Sequence, residues 1–158
     1  HPLDRNDKGL DELKKKVDHG ADMIITQHFF QNRFFLNFLE DCAKRGINLP
    51  VIPSILPIGN PKYLFSFSEA ANIDIPAKAS KILFRKEGIT STSEFIADKD
   101  TEKRAVEYSA EQIQSLIDLK LSKELVPRIN TYAANNVPFL TKVLDELGVR
   151  KDKEERSK

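Results

Sequence analysis

Gln27 closes the apolar run Met23-Ile24-Ile25-Thr26. A side-chain amide presents a donor and an acceptor together, the pair needed to read the edge of a heterocycle such as a pterin. The plainer reading is a strand-end amide satisfied by its own surroundings. The cluster Lys14-Lys15-Lys16 would hold a phosphate, or be a solvated helix face. Phe29-Phe30 and Phe67 are candidates for stacking on a ring system, although most such residues in an α/β protein are core. His1, His19 and His28 lack the spacing of a metal-binding pair, and no cysteine or carboxylate cluster accompanies them, so no metal site is expected. No GxGxxG, GxxxxGK[ST] or GxSxG sequence occurs, which argues against the common glycine-rich nucleotide loops and against a nucleophile elbow.

Composition bounds the context of these residues. With 158 residues the chain is about one domain, too short for a complete eight-fold barrel of roughly 250 residues. Its 40% hydrophobic and 31% charged residues suit a globular protein, and no apolar run approaches the roughly 20 residues of a membrane span. Lys+Arg 25 against Asp+Glu 24 leaves no basic stripe for nucleic acid. The single Cys42 falls in the apolar pattern of Phe34, Phe35, Phe38 and Leu39; it reads as a core thiol and suits a reducing cytoplasm. The start at His1-Pro2 reads as the middle of a longer chain.

The elements that must position the candidates follow from periodicity. A helix is expected from Asp7 to His19, with Leu10, Leu13 and Val17 on one face, Asp7 or Asn6 as cap and Gly20 as its stop. Asp22 to Gln27 lacks polar alternation, as a parallel strand covered on both faces would. A crossover helix is expected from Arg33 to Arg45, capped by Asn32 and ended by Gly46. Val51 to Pro57 predicts a strand running into a rigid loop, because Pro53 and Pro57 would damage a regular ladder. Asn60-Pro61 opens a helix to about Asn72, Pro76 another to Phe84, and Thr101 to Leu121 forms a long amphipathic helix. A last strand from Val126 to Tyr132 precedes Asn135-Asn136 as caps and a helix buried through Phe139, Leu140, Val143, Leu144 and Leu147. Residues 1–149 thus form one α/β unit with parallel strands, and 150–158 a charged, disordered tail. Ligands of such sheets bind at the C-terminal strand ends, here Gln27-His28, Ser54 to Asn60 and Tyr132 to Asn136.

Several motifs in one order resemble the methylenetetrahydrofolate reductase family. They are Lys14-Lys15-Lys16-Val17-Asp18-His19-Gly20-Ala21-Asp22, Ile25-Thr26-Gln27-His28-Phe29-Phe30, Pro53-Ser54-Ile55-Leu56-Pro57, and Val126-Pro127 with Tyr132 and Asn135 before a helix closing at Leu147-Gly148. The resemblance covers nearly the whole chain. It implies the C-terminal half of a (β/α)8 TIM barrel, strands six to eight with their helices. The implied activity is FAD-dependent reduction of 5,10-methylenetetrahydrofolate to 5-methyltetrahydrofolate with NAD(P)H, the flavin supplying the redox chemistry.

By position, the resemblance makes His1, Lys15 and Lys16 cofactor-binding residues for FAD, and Gln27, Phe67 and Tyr132 substrate-binding residues for folate. Lys15 stands where Arg also occurs, which loses a bidentate contact. His28 replaces an aromatic or aliphatic residue, Ser54 a Gly, and Asn136 an Arg. The family's general acid and its flavin-side aspartate belong to the N-terminal half, so no catalytic residue is expected here and the chain alone is expected to be inactive. A rival reading is a non-catalytic half-barrel module that binds folate or a partner; a different pterin-binding barrel, such as a methyltransferase, is the third. The expected partners are folate and, for the full-length protein, further copies of itself, with no nucleic acid and no membrane. The open edges of three strands predict self-association in isolation.

Overall fold

The computed structural model describes residues 7–57, 63–64, 66, 68, 75–84, 100–119, 129–132 and 136–149. By internal contacts the chain divides into two compact units, His1–Ile55 with Ser115–Tyr132, and Leu56–Gln114 with Ala133–Lys158. The elements in order are α1 (Asp7–Asp18), β1 (Ile24–His28), α2 (Asn32–Lys44), β2 (Val51–Ile55), α3 (Ala77–Phe84), α4 (Thr101–Asp118), β3 (Asn130–Thr131) and α5 (Val137–Glu146).

The first unit holds a sheet of order β1-β2-β3, with both strand pairs parallel. Helices α1 and α2 form because apolar side chains recur every three or four residues, and both bury that stripe. Leu10 of α1, Phe38 and Cys42 of α2, Ile24 of β1 and Ile47 make one cluster, against which Leu13, Val17, Leu49 and Val51 pack. Helix α2 ends in a Schellman turn: Gly46 adopts φ +67° and Ile47 N–H reaches back to the Cys42 carbonyl at 2.9 Å. Arg45 clamps the two helices by ion pairs to Asp7 and Asp11. Cys42 is a buried core thiol as expected, its pKa raised by burial and by the neighbouring Asp41 charge.

The second unit contains α3, α4 as far as Gln114, and α5. Arg104 Nε donates to the Ile82 carbonyl at 2.8 Å, tying α4 to α3, and Lys142 Nζ reaches Glu102 at 2.7 Å, tying α5 to α4. Burial, with the nearby Glu111 charge, pushes the Tyr108 hydroxyl up to about 12. Asn136 caps α5, its side chain accepting the Phe139 N–H at 3.2 Å.

Several boundaries differ from the expected ones. Strand β1 runs from Ile24 to His28, and its burial alternates, with Ile25 55% exposed; it is not covered on both faces. Asn32 is not the cap of α2. Gln31 holds that position without a side-chain bond, while Asn32 lies inside the helix and hydrogen-bonds Ser115. Helix α4 stops at Asp118 rather than Leu121. The regular part of β3 is Asn130–Thr131, and 126–128, most of the expected 60–72 helix and the 150–158 tail lie outside the described residues.

Candidate functional site

The C-terminal ends of the strands carry a row of polar side chains. Parallel pairing sets His28 opposite Ser54 and Ser54 opposite Asn130, so one residue from each strand lies in line. Asn130 Nδ2 donates to Ser54 Oγ at 3.1 Å, and Ser54 N–H donates to Thr26 Oγ1 at 3.0 Å. Beyond the row, Tyr132 N–H donates to the Ile55 carbonyl at 3.0 Å, extending the β2–β3 pairing by one bond. The ring of His28 meets Phe30 edge-on at 5.9 Å and Tyr132 at 6.3 Å.

Strand β2 runs through Pro53 to Ile55, so Ser54 lies in the strand and not in the expected loop from Ser54 to Asn60. Ile25 pairs with Ile52 and His28 with Ser54, so Thr26 and Gln27 together stand against Pro53. Thus β1 carries a one-residue bulge here. The Pro50 carbonyl and the Ser54 N–H both face β1, so by the alternation of a strand the N–H that Pro53 lacks would face β3, and no bond to β1 is lost to the proline.

His28 is 1% exposed, and burial lowers its pKa from 6.5 to about 4, so the imidazole is neutral at pH 7. The row holds no carboxylate and no cation at that pH. Gln27 and Tyr132, the latter 41% exposed, present an amide and a phenol at the same end of the sheet. Gln27 and Tyr132 are thus exposed groups able to donate and accept hydrogen bonds, while Thr26, His28 and Ser54 beside them are buried.

The other expected site residues fall elsewhere. Lys15 and Lys16 lie in the last turn of α1, which leads into the start of β1 rather than to its C-terminal end. Lys15 Nζ bonds Glu12 at 2.8 Å, which raises the lysine pKa and lowers the glutamate's. Lys14 pairs with Asp18, and Lys16 makes no ion pair among the described residues. His1 and Phe67 lie outside the described residues. Phe29 is core, stacked on Phe35 at 5.5 Å, as the plainer reading held. The sequence alone suggests no role for Thr26 or Asn130, and it places Ser54 in a loop where the structure has strand. The available signal was a proline inside a β-branched run beside the lone hydroxyl of Ile24-Ile25-Thr26.

Sheet and site together define a parallel α/β unit that presents hydrogen-bonding side chains at the C-terminal strand ends. Residues 1–148 match the family profile described as "Methylenetetrahydrofolate reductase". The 5,10-methylenetetrahydrofolate reductase of Salmonella typhimurium is 34% identical over 138 residues, 87% of this chain and 42% of that protein. The Escherichia coli enzyme of the same name is 33% identical over the same span. "Methylenetetrahydrofolate reductase (NADH) 1" of Arabidopsis thaliana is 45% identical over 71 residues, 45% of this chain and 12% of that protein. The chain belongs to the methylenetetrahydrofolate reductase family. Its alignment to the two bacterial relatives spans 42% of their length.

Proposed function

We propose that β1 to β3 are three strands of a (β/α)8 reductase barrel, residues 1–149 forming its C-terminal half, and that the whole protein reduces 5,10-methylenetetrahydrofolate to 5-methyltetrahydrofolate with FAD and NAD(P)H. The observation that carries this reading is Gln27, exposed at the C-terminal end of a parallel strand in a chain of this family, with Tyr132 at the same end of the sheet. The Gln27 amide would pair with the pterin edge and Tyr132 would border the same ring. Phe67 would stack on folate or nicotinamide.

When bound, FAD would supply the hydride-transfer chemistry between nicotinamide and folate. A diphosphate needs cations at its flank, and the exposed ammonium groups of Lys15 and Lys16 at the end of α1 match that charge. With His1 they would hold the cofactor. The described row contributes recognition, and the proton for the reaction would come from the half of the barrel outside this chain.

Titrating FAD into the full-length protein that carries this sequence, and into the 158-residue chain, tests the assignment by flavin absorbance and fluorescence. Binding by the full-length protein alone is expected. Binding by neither overturns the flavin reading and favours a non-catalytic module that binds folate or a partner. Gln27→Ala is expected to lower folate turnover about tenfold or more while leaving NAD(P)H oxidation with an artificial acceptor nearly unchanged. Equal losses in both assays would remove the pterin role.

A further inference from the structure

We propose that Thr26 is the positioning residue for Gln27, acting through a side-chain clamp on the bulge of β1. The inference rests on the pterin reading of Gln27 and adds the device that aims it.

Thr26 and Gln27 stand together against Pro53, so one of them must leave the regular ladder. The N–H that Pro53 lacks would face β3, not β1. The next donor along β2, the Ser54 N–H, is buried and goes to Thr26 Oγ1 at 3.0 Å. A hydroxyl thus takes the place of a main-chain acceptor and holds the bulge open. Thr26 is 5% exposed, while Gln27 beside it faces solvent.

Two features make threonine suited to the task. Its β-branch restricts χ1, so the acceptor oxygen is fixed relative to the backbone it clamps. Its methyl group suits the buried side of the strand. Without the hydroxyl, the buried Ser54 N–H either loses its partner or pairs with a β1 carbonyl. The second outcome shifts the register locally, and a shift of one residue turns the side chains of a strand to the opposite face. Gln27 would then no longer be presented as it is now.

The test uses the full-length protein and 5-methyltetrahydrofolate as the titrated probe. Thr26→Val keeps the shape and removes the acceptor; Thr26→Ser keeps the acceptor. Thr26→Val is expected to weaken binding about tenfold, roughly the effect of one neutral hydrogen bond, and to add nothing in the background of Gln27→Ala. Thr26→Ser is expected to bind within about twofold of the parent. Amide hydrogen exchange at Ser54 should accelerate in Thr26→Val and stay slow in Thr26→Ser. Thr26→Cys, whose thiol accepts only weakly, should weaken binding in the same direction as Thr26→Val, which keeps the idea open to refutation if Thr26→Val fails to fold. Parent-like binding by Thr26→Val or Thr26→Cys, alongside a weakened Gln27→Ala, overturns the positioning role. Parent-like binding by Gln27→Ala itself overturns the pterin reading, and the ligand role of Thr26 with it.

Discussion

The two ends of the sheet in the first unit are built on opposite principles. At the N-terminal end, Ile24 and Val51 lie paired and pack against Leu10, Phe38, Cys42 and Ile47, all apolar. At the C-terminal end of the same strands, the line His28, Ser54, Asn130 is polar and joined by side-chain bonds, and the regular ladder gives way to a bulge. The first end holds helices to strands by burial, which is non-directional and tolerant of detail. The second interrupts regular pairing and has an amide, Gln27, and a phenol, Tyr132, exposed. On the proposed reading of Gln27 and Tyr132, stability and recognition are separated along the sheet, the division expected of parallel α/β folds.

The contrast breaks most visibly if the apolar end is emptied. Phe38→Ala should cost about 3–5 kcal/mol and lower the urea midpoint sharply. A change under about 1 kcal/mol would show that this cluster does not carry the fold.

The next largest effect is at the polar end and depends on pH. His28 titrates near 6.5 when unfolded and near 4 when folded, so the unfolded chain binds the proton more readily. Its contribution is intact above pH 6.5 and is lost as the pH falls toward about 4, at most about 3 kcal/mol in total. His28→Phe, which keeps a ring between Phe30 and Tyr132, should flatten that part of the profile. Urea titrations of parent and variant at pH 7 and pH 4.5 compare the two slopes. Parallel losses would assign the acid sensitivity to other groups.

A smaller change is expected from Ser54→Ala. It removes the acceptor of Asn130 Nδ2 but keeps the N–H bond to Thr26, and should cost about 1 kcal/mol in thermal or urea unfolding. A loss as large as that of Phe38→Ala would mean the polar row is itself the framework of the unit.

The smallest effect belongs to the solvated turn of α1. Glu12→Gln removes the partner of Lys15, an exposed pair, and the unfolding midpoint should stay within error of the parent. If it moves, the lysine cluster is structural before it is anything else.

Much of this was legible in the residues. The helix stripes of Leu10, Leu13 and Val17, and of Phe35, Phe38 and Cys42, follow from spacing, and Gly20, Gly46 and Gly148 each adopt positive φ at a helix end. Asn136 was read as a cap and is one. Less legible was β1: Ile24 to His28 alternates between buried and exposed, Ile24 packing against α1 and α2 while Ile25 and Gln27 on the other face are exposed. Asn32 misled because its amide is used across the unit, by Ser115 far along the chain.

The sequence by itself determined the family, the order of helices and parallel strands, and the identity of Gln27 and Tyr132 as candidates, because those rest on local periodicity and on motifs in fixed order. Tertiary structure alone decided that β2 continues through Ser54 to Ile55, that Thr26 accepts from Ser54, and that His28, Ser54 and Asn130 share a line. Each of these is a matter of register between segments distant in sequence, and register is set by which donors and acceptors find partners when the strands meet, a choice no single segment contains.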